Sequence, residues 1–303
     1  MMNATVIQSS ASATMIEATH TVGSVISRDG TTIGYRQYGQ GPGVVVVHGA
    51  NLSSQNFRQL AVRLADTFTV YVPDRRGRGL SGPFGENYGI RKEVEDLEAL
   101  LTLSGASLVF GISSGGLIAL EAARVLPAIR KVALYEPALL MNSERTKWLA
   151  RYDREIAEGK TAAALVTCLK GLQLGGPVLN AIPRWLLESM TNKMMESESK
   201  KAKTDDVTMR MLAPTLHYDG QLLVEMTGKV DRFRSLNADA LLLGGSKGLS
   251  YLKPALDGLE KVLPQAKRME VPGLDHGGAC DVSQTNRGGK PEMVAEELRR
   301  FFA

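Results

Sequence analysis

The sequence has 303 residues, 44% of them hydrophobic and 22% charged, with a formal net charge of +4. That is ample apolar material for one large domain or a domain with an insertion, and the mild positive balance, without a Lys/Arg run interleaved with aromatics, disfavours a nucleic-acid partner. No segment approaches the roughly 18 consecutive apolar residues of a membrane span, so no membrane partner is expected.

The first twenty residues are rich in Ser, Ala and Thr and contain neither Lys nor Arg. Residues 1–21 therefore read as a flexible tail rather than a signal or transit peptide, and a cytoplasmic location is the expectation. Cys168 and Cys280 are far apart, lack metal-like spacing and are expected to be free thiols. From Val22 the pattern becomes periodic. Val25-Ile26 and Ile33-Gly34-Tyr35 flank Asp29-Gly30, a short-range hairpin signal. Val44 to Val47 is a continuous β-branched run suited to a central strand covered on both faces, and it ends in His48-Gly49-Ala50-Asn51. A helix with Phe57, Leu60, Ala61 and Leu64 on one face follows. Next come a strand over Phe68 to Val72, the loop Asp74-Arg75-Arg76-Gly77-Arg78-Gly79-Leu80-Ser81, and a helix marked by Ile90, Val94, Leu97 and Leu101.

Ser107 to Phe110 reads as a short buried strand. Gly111-Ile112-Ser113-Ser114-Gly115 then fits the G-x-S-x-G pattern in one register only, since a frame centred on Ser114 would need glycine at Ile112. The pentapeptide alone is weak, because Gly and Ser crowd ordinary turns. A helix pattern from Leu117 to Leu126 follows directly, and this strand–turn–helix context is what a nucleophile elbow requires. Ser113 is the candidate nucleophile. A further strand, Ile129 to Tyr135, is closed by Glu136-Pro137. Such alternation of strands and helices argues for an α/β fold with a doubly wound, mostly parallel sheet.

The alternation stops at Pro137. Residues 138–235 read as helices with no convincing strand. Asn142 or Ser143 caps a helix carrying Trp148, Leu149, Tyr152 and Ile156, and a second helix spans Leu165 to Leu172 until Gly175-Gly176-Pro177 breaks it. Six of the twelve methionines (Met190, Met194, Met195, Met209, Met211 and Met226) fall in the second half, with Trp185. Flexible thioethers make adaptable apolar walls; Asn51, Trp185 and Met190 are the expected pocket residues. The charged run Glu196 to Lys203 reads as a solvated helix face or loop. Alternation resumes at Ala240 to Leu243, followed by a helix with Leu256, Leu259 and Leu263, a strand ending at Val271, a glycine-rich loop containing His276, and a terminal helix opened by Pro291.

From about Val22 to Ala303 the chain resembles an α/β-hydrolase. The resemblance rests on His48-Gly49 after the third strand, the Asp74 to Ser81 stretch after the fourth, the Ser113 elbow, and His276 after the last strand, all in the expected order. It implies a core of residues 22–137 and 236–303 with a helical cap at 138–235. It also implies an oxyanion hole made by the backbone N–H groups of Ala50 and Ser114.

A serine hydroxyl is a poor nucleophile and needs a base within reach. Of the four histidines, His20 falls in the tail and His217 in the insertion, while His48 closes a strand and is expected to hold its loop. His276 alone sits at the carboxyl end of a late strand, where the active sites of open parallel sheets form. Many α/β-hydrolases carry the triad acid in the loop after the seventh strand, here Gly244 to Ser250, which has no Asp or Glu. Asp257 lies inside the next helix, Asp239 precedes the strand, and Asp275 adjoins His276. Glu136 remains, after the sixth strand, a position that carries the acid in some members, zearalenone-type lactone hydrolases among them. Arg75, Arg76 and Arg78 read as loop packing and surface charge rather than an anion site.

The expected activity is hydrolysis of a carboxylic ester or lactone with an apolar moiety, through an acyl-enzyme on Ser113, without metal or cofactor. A C–C bond hydrolase or a perhydrolase would use the same triad, and a ligand receptor on the same fold would turn over little. Monomer and homodimer are both open.

Overall fold

A β-hairpin starts the sheet. The computed structural model describes residues 20–174 and 176–303, so the first nineteen residues of the expected tail, and Gly175, lie outside the described residues. Strands β1 (Thr21–Ile26) and β2 (Thr32–Tyr38) pair antiparallel with Ile26 opposite Thr32, which leaves the Asp29-Gly30 turn between them. Strands β3 (Gly43–Val47), β4 (Thr69–Pro73), β5 (Leu108–Ile112), β6 (Lys131–Tyr135), β7 (Asp239–Gly245) and β8 (Lys267–Val271) complete an eight-stranded sheet in the order 1-2-4-3-5-6-7-8. All pairs from β3 to β8 are parallel, while β2 joins β4 antiparallel. Strand β5 runs two residues beyond Phe110 because Gly111 and Ile112 still pair with Leu134 and Tyr135.

Parallel neighbours need crossovers. Helices α1 (Arg58–Leu64), α2 (Ile90–Ser104) and α3 (Ser114–Val125) supply them up to β6. Between β6 and β7 the described residues contain helices and no strand. A 3₁₀ turn at Ser143–Thr146 is capped by Asn142, whose Oδ1 accepts from the Glu144 N–H at 3.1 Å. Then come α4 (Leu149–Ala157), α5 (Thr161–Gly171), α6 (Gly176–Ala181), α7 (Arg184–Lys201), α8 (Met209–Leu212) and α9 (Leu216–Met226). The Gly176-Pro177 pair opens α6 instead of ending α5. Proline is well tolerated in a helix's first turn, where its missing N–H would have no helical partner. Most of the charged run at 196–201 lies exposed on α7, as a solvated face requires. Helices α10 (Lys253–Val262) and α11 (Pro291–Phe302) complete the fold.

The continuous Val44–Val47 run is explained by two cores, one on each face of the sheet. Val45 and Val47 pack with Val94, Leu97, Leu117 and Leu256 of α2, α3 and α10. Val44 and Val46 pack with Leu60, Leu64 and Leu298 of α1 and α11. A strand covered on both sides has no polar face to show. The six parallel strands place their carboxyl ends along one edge, and the insertion leaves the core from that edge. None of the described helices is long and apolar enough to cross a membrane.

Candidate active site

Ser113 ends β5 and begins α3 with φ 54° and ψ −122°, a conformation strained for any residue with a Cβ. Three backbone bonds impose it. The Ser113 N–H donates to Tyr135 O at 3.0 Å, and Ser113 O accepts from Leu117 N at 3.0 Å and Ala138 N at 2.9 Å. Glycine at 115 is a packing necessity, because a Cβ there would strike the carbonyl oxygens of Val47 and His48. The His48–Asn51 stretch passes beside Ser113, with the Gly49 Cβ position only 3.1 Å from Ser113 Cβ. Ser114 is the first residue of α3, so its N–H has no partner within the helix and lies at the positive end of the helix dipole.

Glu136 leaves β6 with φ 43°, its N–H donating to Leu243 O at 2.9 Å, and its side chain is buried. Its Oε2 accepts from His276 Nδ1 at 2.6 Å and from the Leu249 N–H at 3.4 Å, while Oε1 accepts from the Gly245 N–H at 3.0 Å. The loop after β7 thus lacks a carboxylate of its own and supplies N–H donors to the one from β6. A Cβ at Gly248 would fall on Glu136 Oε1, so glycine at that position is what admits the longer side chain. The His276 loop is pinned by Tyr135, whose hydroxyl donates to Asp275 O at 2.6 Å. Asp275 Oδ1 accepts from the Gly277 N–H at 2.9 Å and serves its own turn. With Nδ1 donating to Glu136, Nε2 is the imidazole nitrogen left to accept a proton.

His48 serves a different purpose. Its Nδ1 meets Gly49 O at 2.9 Å and its Nε2 accepts from the Arg75 N–H at 3.0 Å. Burial, reinforced by Arg78 and Arg75, holds its pKa well below the ordinary value, so it stays neutral and fixes the loop.

Ser113 and His276 line one cavity of about 250 Å³, together with Ala50, Asn51 and Ser114. The remaining wall is mostly apolar and comes largely from the insertion, including Leu140, Trp148, Leu165, Met194, Met209 and Leu223. Asn51 lines the cavity, with φ 53° and its Oδ1 without a hydrogen-bond partner among the described residues. Trp185 and Met190 are corrections to the expected pocket: neither lines it, and they are 70% and 49% exposed. Helix α7 buries Leu187 and Met195 and lines the cavity with Thr191 and Met194. Those four follow helical i, i+4, i+7, i+8 spacing, which puts Met190 at the edge of the stripe and Trp185 on the far side. Among the described residues no cluster of three or more His, Cys, Asp or Glu is placed to hold a metal ion. Cys168 and Cys280 are buried free thiols, and burial pushes both up to about 12.

The alpha/beta hydrolase family matches this chain over residues 44–284. The chain belongs to that family. It is 24% identical over 268 residues to a pimeloyl-[acyl-carrier protein] methyl ester esterase of Xanthomonas axonopodis pv. citri, spanning 88% of this chain and 96% of that protein. Among solved structures it is similar to an alpha/beta hydrolase from Sphaerobacter thermophilus, with a TM-score of 0.74, 28% identity, and coverage of 93% of this chain and all of the other. The esterase RhEst1 from Rhodococcus sp. shares the fold at a TM-score of 0.63 and 20% identity, over 92% of this chain and 98% of its own.

One feature of this alpha/beta hydrolase was not legible in its motifs. Arg75, Arg76 and Arg78 do pack the loop, but as buried ion pairs rather than surface charge. Arg76 grips Asp96 at 2.5 and 2.7 Å and Asp29 at 3.0 Å. Arg75 binds Glu93 at 2.7 Å and Asp219 at 2.8 Å, and Arg78 binds Asp219 at 2.5 Å. Burial opposes the charge on Asp219, yet Arg78 and Arg75 hold it below the ordinary carboxylate range. Burial likewise opposes the charge on Arg75, and Glu93 and Asp219 raise its pKa well above the ordinary value. Partners 141 and 144 residues apart leave no local pattern to read.

Proposed function

We propose that this alpha/beta hydrolase is a serine hydrolase that cleaves a carboxylic ester or lactone bearing an apolar moiety. The observation that carries the reading is the 2.6 Å contact between Glu136 and His276 Nδ1, with Ser113 and His276 lining one mostly apolar cavity. The ester-cleaving activity named for the Xanthomonas relative supports it.

In this reading His276 Nε2 takes the Ser113 proton as Oγ attacks the carbonyl carbon. The N–H groups of Ala50 and Ser114 receive the negative charge on the carbonyl oxygen. Glu136 keeps the imidazole in the right tautomer and stabilises the imidazolium without itself taking the proton. His276 then protonates the leaving alkoxide, the carbon–oxygen bond breaks, and an acyl group remains on Ser113. For a lactone the alcohol stays tethered to that acyl group. Water, deprotonated by the same imidazole, releases the acid and returns the proton to Ser113. Residues 138–235 act as a cap that excludes bulk water and offers apolar surface to the substrate.

Steady-state hydrolysis across aryl esters, long-chain esters, small lactones and macrolactones tests the reading. The expected result is sustained turnover with at least one class, a fluorophosphonate label on Ser113, and loss of both in Ser113→Ala. Intact labelling of Ser113→Ala removes the nucleophile assignment. A stoichiometric burst without turnover makes the protein a binder.

A further inference from the structure

Asp219 stands outside the Ser113, His276 and Glu136 set, yet it meets the residue that follows the nucleophile. It lies on α9, is 2% exposed and lines the cavity. Its Oδ1 accepts from Ser114 Oγ at 2.9 Å and from Arg75 Nη1 at 2.8 Å, and its Oδ2 accepts from Arg78 Nη2 at 2.5 Å. Arg75 Nη1 also donates to Ser114 Oγ at 3.1 Å. The backbone N–H of Arg75 fixes His48 Nε2 at 3.0 Å, and His48 leads directly into Gly49-Ala50. One buried cluster therefore touches both stretches that carry the proposed oxyanion donors, Ser114 directly and Ala50 by way of His48.

Charge balance accounts for part of this arrangement. Two guanidinium groups, Arg75 and Arg78, face two carboxylates, Glu93 and Asp219, and a buried cation without a partner is costly. Balance alone does not require Asp219 to take the Ser114 hydroxyl. That bond runs from the insertion to the first turn of α3, whose leading N–H groups must stand about 2.7–3.1 Å from the developing oxyanion to act on it.

We propose that Asp219 is a positioning residue of the oxyanion hole. Through Ser114 Oγ it holds the backbone that presents the Ser114 N–H, so the seating of α9 against the elbow and the shaping of the hole are one event. This rests on the reading of Ser113 as nucleophile and of the Ser114 N–H as an oxyanion donor.

The test uses Ser114→Ala, Asp219→Asn and the double variant of the full chain, with Ser113→Ala alongside. Ser114→Ala keeps the N–H and the buried charge balance and removes only the Oγ bonds to Asp219 and Arg75. Each is measured for kcat and KM on an ester the wild type turns over. Each is also measured for affinity toward two inhibitors. One is an aryl trifluoromethyl ketone, whose carbonyl carbon bonds to Ser113 Oγ while the serine proton passes to His276 and the oxygen becomes the oxyanion. The other is the matching aryl methyl carbinol, which carries no oxyanion.

A displacement of the donor by about 1 Å costs up to ~10² in rate. The expected result is a kcat lower by about tenfold in Ser114→Ala and by ~10–100-fold in Asp219→Asn. KM and carbinol affinity are nearly unchanged, ketone affinity falls in step with kcat/KM, and the double variant is no worse than Asp219→Asn. If Asp219→Asn does not fold, Ser114→Ala carries the test alone. Wild-type kcat in Ser114→Ala overturns the proposal, as do additive effects or equal losses for ketone and carbinol. Activity that survives in Ser113→Ala refutes the nucleophile reading instead. A dead Ser113→Ala beside a fully active Ser114→Ala refutes only the role of Asp219.

Discussion

Helices α9 and α7 wall the same cavity from the insertion, but they are held to the protein in different ways. Helix α9 is bonded into the core at several points. Asp219 takes Arg75, Arg78 and Ser114; Glu225 Oε2 accepts from the Ile90 N–H at 2.9 Å where α2 begins; and the Tyr218 ring stacks on Phe84 at 3.5 Å between centroids. Helix α7 buries only Leu187 and Met195. Its polar anchors lie within the insertion, Arg184 to Glu155 at 2.7 Å and Glu198 accepting from the Met209 N–H at 2.9 Å. The insertion that reads as one unit from the sequence thus presents a wall fixed to the Ser113 turn and a wall resting mainly on other parts of the insertion. Met194 of α7 and Met209 of α8 also line a neighbouring groove of about 400 Å³ with Gln55 and Lys201. Two flexible thioethers thus stand between that groove and the Ser113 cavity, the place where adaptable packing is most useful.

The largest expected effect on stability breaks the fixed wall. Replacing Asp219 by Ala leaves two buried guanidinium groups with Glu93 alone, and removing one partner of a buried pair costs about 3–5 kcal/mol. Denaturant unfolding should register a loss of that size. A loss below about 1 kcal/mol would mean that α9 is no better anchored than an ordinary surface helix.

Next in size is the adjustable wall. Burial contributes roughly 0.8 kcal/mol per methylene, so kcat/KM should rise along an acyl series from acetate toward longer chains. Met194→Trp, which fills the cavity from α7, should lower kcat/KM for decanoate relative to butyrate by about tenfold, the equivalent of about two excluded methylenes. A flat wild-type profile from acetate to decanoate would contradict a closed apolar cavity.

A smaller effect follows from pH. Burial works against the charges of Asp219 and Glu93, but Arg78 and Arg75 for the first, and chiefly Arg75 for the second, bring both below their ordinary values of 3.8 and 4.5. A depressed carboxylate contributes stability that is complete above its unfolded value and lost as pH falls through its folded value. Thermal stability should therefore decline as pH drops below about 4.5, and the decline should be shallower in Asp219→Asn. An unchanged slope in that variant would show the clamp to be thermodynamically silent. Smallest of all are Trp185→Ala and Met190→Ala, on the exposed side of α7. Stability should stay within about 0.5 kcal/mol of wild type, as for ordinary surface substitutions, and acyl selectivity should not change.

The same contrast explains what the sequence could tell. The elbow, the hairpin and the two-sided Val44–Val47 strand are written in contiguous residues, and backbone sterics or strand period decide them. Glu136 is legible only through the family resemblance together with the absence of an acid in the loop after β7, and Gly248 in that loop is the local sign that a side chain enters from elsewhere. The clamp on Asp219 joins residues more than a hundred positions apart through side chains alone, and no periodicity announces such a pairing. Trp185 and Met190 miss the cavity for a related reason. Composition marks the second half of the insertion as apolar, but which face of α7 turns inward is set by the cavity and core it meets. Met194 satisfies that face, and Trp185 does not.

The central claim is that Glu136 serves His276 as the triad acid, and one substitution tests it most directly. Glu136→Gln keeps the side chain's shape and removes its charge, and it can favour the imidazole tautomer that leaves Nε2 unable to accept the Ser113 proton. The account predicts that kcat falls by about 10³–10⁴ with KM little changed. Fluorophosphonate labelling of Ser113 should slow in parallel and thermal stability should be nearly unaltered. A Glu136→Gln enzyme within about tenfold of wild type would contradict the assignment.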